Sequence, residues 1–269
     1  MNDDIKQMRL RYRGACALCG ATVEAGSSAG YDRAARRVIC LTCLPLAQDL
    51  PIDPGTPGGS LEREYERRRK GREERVRGRF PRAGGLLLAL TGEPEATKAF
   101  ARGAEGERRL AARLEQLCGE EVLFLHNRRR GRSSRSGDID HIAVAASGVY
   151  VVDAKNYKDA KVSVRRTGGL LRPVREQLIV RGRDKTHLAG SLNKQYVAVV
   201  DAMEEDPAPV TALFCFVDAE LPVFQTLKVG GVPVLTPRKT AMLLRRPGPY
   251  DEERRRAIWK SLARRLPPA

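Results

Sequence analysis

The chain has 269 residues, of which 42% are hydrophobic, enough for one or two domains around a sizeable core. Its 49 lysines and arginines against 33 aspartates and glutamates leave a net charge of +16, which favours a polyanionic partner through counterion release. No apolar run approaches the roughly 20 residues of a membrane helix, and the acidic start MNDDIKQMRLRYRG lacks an apolar segment, so the expectation is a cytoplasmic protein with no membrane partner and no secretion signal.

Residues 1–50 carry four of the six cysteines, as Cys16-x2-Cys19 and Cys40-x2-Cys43 separated by twenty residues. Two such knuckles match a structural Zn2+ site of four thiolates, closed to substrate because no coordination position is left open. The segment has little apolar material, so metal binding would supply much of its folding free energy. Disulfides are the competing reading, and a cytoplasmic setting disfavours them. Three roles stand open for this zinc ribbon: gripping nucleic acid, docking a protein partner, or capping the rest of the chain. Cys118 and Cys215 lie in apolar contexts and read as small core residues.

Residues 51–100 begin with the Pro/Gly-rich DLPIDPGTPGGS and continue as LEREYERRRKGREERVRGRFPR, with ten basic and five acidic residues in 22. That run has helix-forming composition but almost no apolar stripe, so it reads as a solvated helix or a basic linker. Residues 101–269 show globular periodicity. A helix is expected over 103–118, with Leu110, Leu114 and Leu117 on one face, then a strand over 121–126. RRRGRSSR follows, and its Arg128, Arg129, Arg130, Arg132 and Arg135 are candidates for phosphate contacts, with a solvated loop as the other reading. Strands are expected at 139–145, 149–155, 161–166 and 177–181, a helix at 187–204, strands at 210–217 and 232–235, and closing helices near 237–244 and 250–265. This order implies an α/β fold with one mixed sheet flanked by helices. Aromatics are only 5% of the chain, which argues against a platform that stacks a run of single-stranded bases.

The segment GDIDHIAVAASGVYVVDAKNY, 137–157, places Asp140, Asp153 and Lys155 at the ends of two apolar strands. Asp153 and Lys155 are two apart, so in a strand they share a face. Two carboxylates with the Ala154 carbonyl could hold Mg2+ or Mn2+, and the lysine could orient water or offset charge on a phosphate. A buried ion-pair network is the other reading of the same residues. His141 should point away from Asp140 and reads as a core residue, and Asp138 after Gly137 fits a turn.

GAEGERRLAARLEQL (103–117), the 137–157 segment and SLNKQYVAVVDAM (191–203) together resemble the NERD family, the nuclease-related domain. That family is similar to the PD-(D/E)xK nucleases, so the resemblance implies a restriction-endonuclease-like core and metal-dependent hydrolysis of DNA, with RNA as the alternative substrate. On the matching positions it implies Glu107 as the helix acid near the metal or its water, Asp140 and Asp153 as strand acids, Lys155 as the lysine and Gln195 as a glutamine on the following helix. Asp153 stands where many members have glutamate.

Overall fold

The computed structural model describes residues 5–32, 37–45, 52–131, 137–169, 172–204, 206–222 and 225–269. The cysteine segment holds five short strands: β1 (Ile5–Arg9), β2 (Gly14–Ala15), β3 (Thr22–Val23), β4 (Ser28–Asp32) and β5 (Arg37–Ile39). They form a small sheet β1-β4-β5 and a two-stranded β2-β3 ladder. Their core is slight: Leu10, Val23, Ala29 and Ile39 with the buried Cys16 and Cys43.

Helices α1 (Gly59–Arg79), α2 (Gly84–Thr91) and α3 (Glu95–Cys118) follow. The strands β6 (Leu123–Arg129), β7 (Asp138–Ala145), β8 (Gly148–Asn156), β12 (Val210–Val217), β13 (Leu227–Val229) and β14 (Val232–Leu235) form one six-stranded sheet in the order β13-β14-β12-β8-β7-β6. The β12 pairings with β8 and β14 are parallel, and those of β6 with β7, β7 with β8 and β13 with β14 are antiparallel. A separate three-stranded sheet contains β9 (Val162–Gly169), β10 (Arg172–Val180) and β11 (Arg183–Asp184). The remaining helices are α4 (Leu188–Met203), α5 (Pro237–Leu244) and α6 (Glu252–Arg265). The expected mixed sheet flanked by helices is present. Among the described residues, no helix is long and apolar enough to cross a membrane.

Alternation along the strands divides the core into two layers. Ile142, Val144, Val149 and Val151 pack against Leu192 and Val199 of α4 and Ile258 and Leu262 of α6. Ala143, Ala145, Tyr150 and Val152 pack against Leu110 and Leu114 of α3 and Ala241 and Leu244 of α5. Helix α3 starts at Glu95, directly after Pro94 and ahead of the leucine stripe that announces it. The last two helices are capped as their sequences allow: Thr236 accepts from Lys239 N at 3.3 Å and Asp251 from Arg254 N at 2.8 Å.

The β6 edge is covered rather than left open to pairing. His126 N donates to Pro54 O at 2.7 Å, and Arg129 N donates to Pro267 O at 2.9 Å. Ala269 N donates to Asn127 O at 2.8 Å, and Trp259 Nε1 reaches Phe124 O at 2.8 Å. Residues 52–100, whose charged run reads as a solvated helix or a basic linker, include a strap laid along β6, the helices α1 and α2 and the start of α3. Tyr65 of α1 bonds Glu93 at 3.1 Å, and Arg68 lies over the Phe100 ring at 4.4 Å.

Arg128 corrects the reading of the arginine run. It is only 1% exposed, and its guanidinium donates to Leu266 O at 2.5 Å, Ala263 O at 2.5 Å and Asp53 O at 2.8 Å. Three carbonyls hold its fork, so it ties the strap and the end of α6 to β6, and its burial keeps it from a phosphate in solution. Arg129 is exposed and Arg130 half-buried, while Arg132 and Arg135 lie outside the described residues. Arg128→Met should leave three acceptors without their donor and cost roughly 3 kcal/mol. Urea unfolding checks this, and an unchanged midpoint would contradict the role.

Candidate active site

The β7–β8 hairpin positions the acids. Its register pairs His141 with Val152, and one further step places Asp140 opposite Asp153 on the layer that faces α4. Gln195 of α4 then joins the two: its Nε2 donates to Asp153 Oδ1 at 2.8 Å, and its Oε1 accepts from Asp140 N at 3.3 Å. Asp140 Oδ2 accepts from Ala154 N at 2.9 Å. Lys155 Nζ lies 2.6 Å from Asp153 Oδ2 and donates to Ala154 O at 3.3 Å. Asp153 Oδ2 is buried, and the Lys155 ammonium is its charge partner.

Glu107 enters from α3. The helix can approach the end of β8 only because residue 106 is glycine: a Cβ there would lie 2.4 Å from Asn156 Cβ. Glu107 Oε2 accepts from Gly58 N at 3.0 Å, at the start of α1. Gly58 has a φ of 73°, and a Cβ on it would meet Ala104 O at 2.6 Å, so the donor depends on glycine. Glu105 points elsewhere, to Arg108 Nη2 at 3.2 Å.

Glu107, Asp138, Asp140, Asp153, Ala154, Lys155 and Gln195 all line one cleft of about 990 Å³. Burial raises the Glu107 carboxyl to about 7, with Asp153 and Asp138 adding to the rise against Gly58 N–H and Lys155. Burial likewise pushes Asp140 well above the usual carboxylate range, aided by Glu107 and Asp153. Burial works against the Lys155 ammonium, but Asp153 and Asp140 outweigh it and raise its pKa. Several carboxylates facing one ammonium thus resist full ionisation together, as expected of a group that accepts a cation.

Residues 102–202 match the family model NERD, described as nuclease-related domain. The chain carries a nuclease-related domain. No curated protein and no solved structure matches the chain. The matched span contains Glu107, Asp140, Asp153, Lys155 and Gln195 together with the helix and strands that bring them to one cleft.

Other residues of the nuclease-related domain were not legible as neighbours of these acids. Arg109 and Lys158 line the cleft with Arg130, and so does Arg181, which follows β10. Arg109 follows Glu107 by two positions on α3 and is held by Asp218 at 2.5 Å. Asp138, weighed as a turn residue, opens β7 and lines the cleft. His141 is fully buried on the opposite face, its Nδ1 2.8 Å from His126 Nδ1, and burial holds its pKa well below the ordinary range.

The other chemical cluster is the quartet Cys16, Cys19, Cys40 and Cys43, whose sulfurs all lie within 4.8 Å of one another, positioned to hold a metal ion. Burial opposes ionisation of Cys16, but N–H groups of Cys40, Cys19 and Leu18 bring it down to about 6. Hydrogen bonds with Cys40 and Cys19 push Cys43 up to about 12. Sulfurs this close cannot all ionise without a cation among them. Gel-filtered protein should therefore retain a tightly bound metal ion, and Cys16→Ser should lose it; elemental analysis finding the wild type metal-free would contradict the site.

Proposed function

We propose that the chain is a divalent-cation-dependent nuclease that hydrolyses phosphodiester bonds of DNA. The observation that carries this reading is the meeting of Glu107, Asp140, Asp153, Lys155 and Gln195 in one cleft within the span of the nuclease-related domain. The donor set fits Mg2+ or Mn2+: the carboxylates of Asp140 and Asp153 with the Ala154 carbonyl give hard oxygen donors in one cleft. Asp140, Asp153 and the Ala154 carbonyl would hold such an ion. When bound, it supplies Lewis acidity to the scissile phosphate and acidifies water.

The chain's own residues divide the remaining work. Gln195 fixes Asp153 Oδ1 and the Asp140 backbone, so the two acids keep one relative position. Lys155 Nζ orients the attacking water or offsets charge developing on a phosphate oxygen. Glu107 has Oε2 tied to Gly58 N, which leaves Oε1 for a water in the cleft. Arg130, Arg109, Lys158 and Arg181 surround these groups with positive charge suited to backbone phosphates. The core fits a restriction-endonuclease-like scaffold. Residues 1–50 would form a zinc ribbon in which Cys16, Cys19, Cys40 and Cys43 would hold Zn2+ as thiolates and so tie the module together, and free cysteines throughout the described residues suit a cytoplasmic setting.

The test is incubation of the full chain with plasmid, linear, single-stranded DNA and RNA, each with Mg2+, Mn2+ or no added cation. Lys155→Ala should slow cation-dependent cleavage by roughly 100-fold or more while DNA binding persists. Equal cleavage by Lys155→Ala would contradict the assignment. DNA bound by the wild type but left intact under every condition would indicate a non-cleaving binding or adaptor module.

A further inference from the structure

The cysteine module carries a surface that the cleft chemistry does not use. Between β1 and β2 the chain bends through Arg11, Tyr12 and Arg13, immediately before the first knuckle. Leu10 anchors the bend: it is buried, its N–H donates to Ser27 O at 3.0 Å, and its carbonyl accepts from Gly26 N at 2.8 Å. Tyr12 projects from this anchored bend and is 82% exposed, the most exposed aromatic among the described residues. Arg9, Arg11, Arg13 and Lys6 are all exposed beside it. Among the described residues none of these four cations has an ion-pair partner.

Helix α1, richer in arginine, pairs three of its arginines with acids, while Arg69, Arg72, Arg75 and Arg79 have no acidic partner among the described residues. There Arg67 and Arg68 pair with Glu64 at 2.7 and 2.5 Å, and Arg77 pairs with Glu73 at 2.9 Å. Acids on the same helix hold those charges. On the cysteine module Arg11 and Arg13, which flank the exposed Tyr12 in the chain, have no acidic partner among the described residues. Desolvating an unpaired guanidinium against a protein surface needs a matching acid for each, and placing a solvated tyrosine against it needs a groove. A nucleic-acid strand meets both needs at once, with phosphates for the arginines and a base face for the ring.

We infer that the bend Arg11–Tyr12–Arg13 is a docking site for single-stranded DNA, with Tyr12 stacking on one unpaired base and Arg11 and Arg13 contacting the flanking phosphates. A single ring serves one base and not a run of bases, in keeping with the low aromatic content. The choice of DNA rests on the proposed nuclease function, whereas the ring and its unpaired cations do not depend on it. The zinc ribbon would then hold a strand that leaves the duplex, separately from the acids that cut.

Binding is measured on the full chain carrying Asp153→Ala, so that cleavage does not enter. Labelled single-stranded DNA and blunt duplex of equal length are titrated at several salt concentrations. Tyr12→Ala should weaken single-strand binding about tenfold, leave blunt duplex binding within twofold, and leave the bound metal content unchanged; Tyr12→Phe should restore the affinity. Arg11→Gln with Arg13→Gln should lower the slope of log affinity against log salt by about 1.4 for the single strand. Single-strand affinity unchanged in Tyr12→Ala with metal retained would overturn the proposal and leave the patch to a protein partner. Because no arm reads hydrolysis, a chain that binds through Tyr12 yet never cuts would sink only the nuclease reading.

Discussion

Carboxylates drawn out of water resist ionising unless something compensates their charge, and this constraint organises the domain. The antiparallel register of β7 and β8 sets Asp140 beside Asp153, and α3 adds Glu107 from the other side of the strand end. Lys155 supplies one positive charge. Burial and mutual repulsion hold Glu107 and Asp140 above the usual carboxylate range. A packed core of aliphatic residues would have avoided the cost altogether. The acids stand together with a glutamine that fixes their spacing, and they line a cleft of about 990 Å³.

The surroundings of the cleft follow from keeping those groups in place. Gly106 lets α3 come against β8, and Gly58 turns the chain so that its N–H meets Glu107. The strap before Gly58 is itself held by β6 and by the buried Arg128. The segment between the cysteine module and α3 is thus coupled to the acid site through a chain of direct contacts. In the cysteine cluster backbone N–H groups drive Cys16 toward the thiolate, while hydrogen bonds with neighbouring sulfurs hold Cys43 away from it.

Much of the fold is legible in the sequence where one physical signal dominates. The strands Asp138–Ala145, Gly148–Asn156 and Val210–Val217 are dense in β-branched and apolar residues, and the helix Leu188–Met203 has a clear stripe. The short strand Leu227–Val229 has no such signal and exists because Val232–Leu235 pairs with it. The first turns of α3, EATKAFAR, lie ahead of its leucine stripe, so periodicity places its start too late. Spacing shows that Asp153 and Lys155 share a strand face, but only tertiary packing brings Glu107 and Gln195 to them. Arg128 marks the clearest limit: an arginine inside an arginine run looks like surface, and nothing local reveals that three distant carbonyls bury it.

The most direct measurement is Mn2+ titration followed by electron paramagnetic resonance on the full chain with its cysteine site loaded. The acid cluster predicts saturable Mn2+ binding in the wild type that Mg2+ displaces and that Asp153→Asn abolishes without lowering the unfolding temperature. Wild-type protein that leaves Mn2+ free in solution, or Asp153→Asn that binds it equally well, would contradict a cation site at these residues.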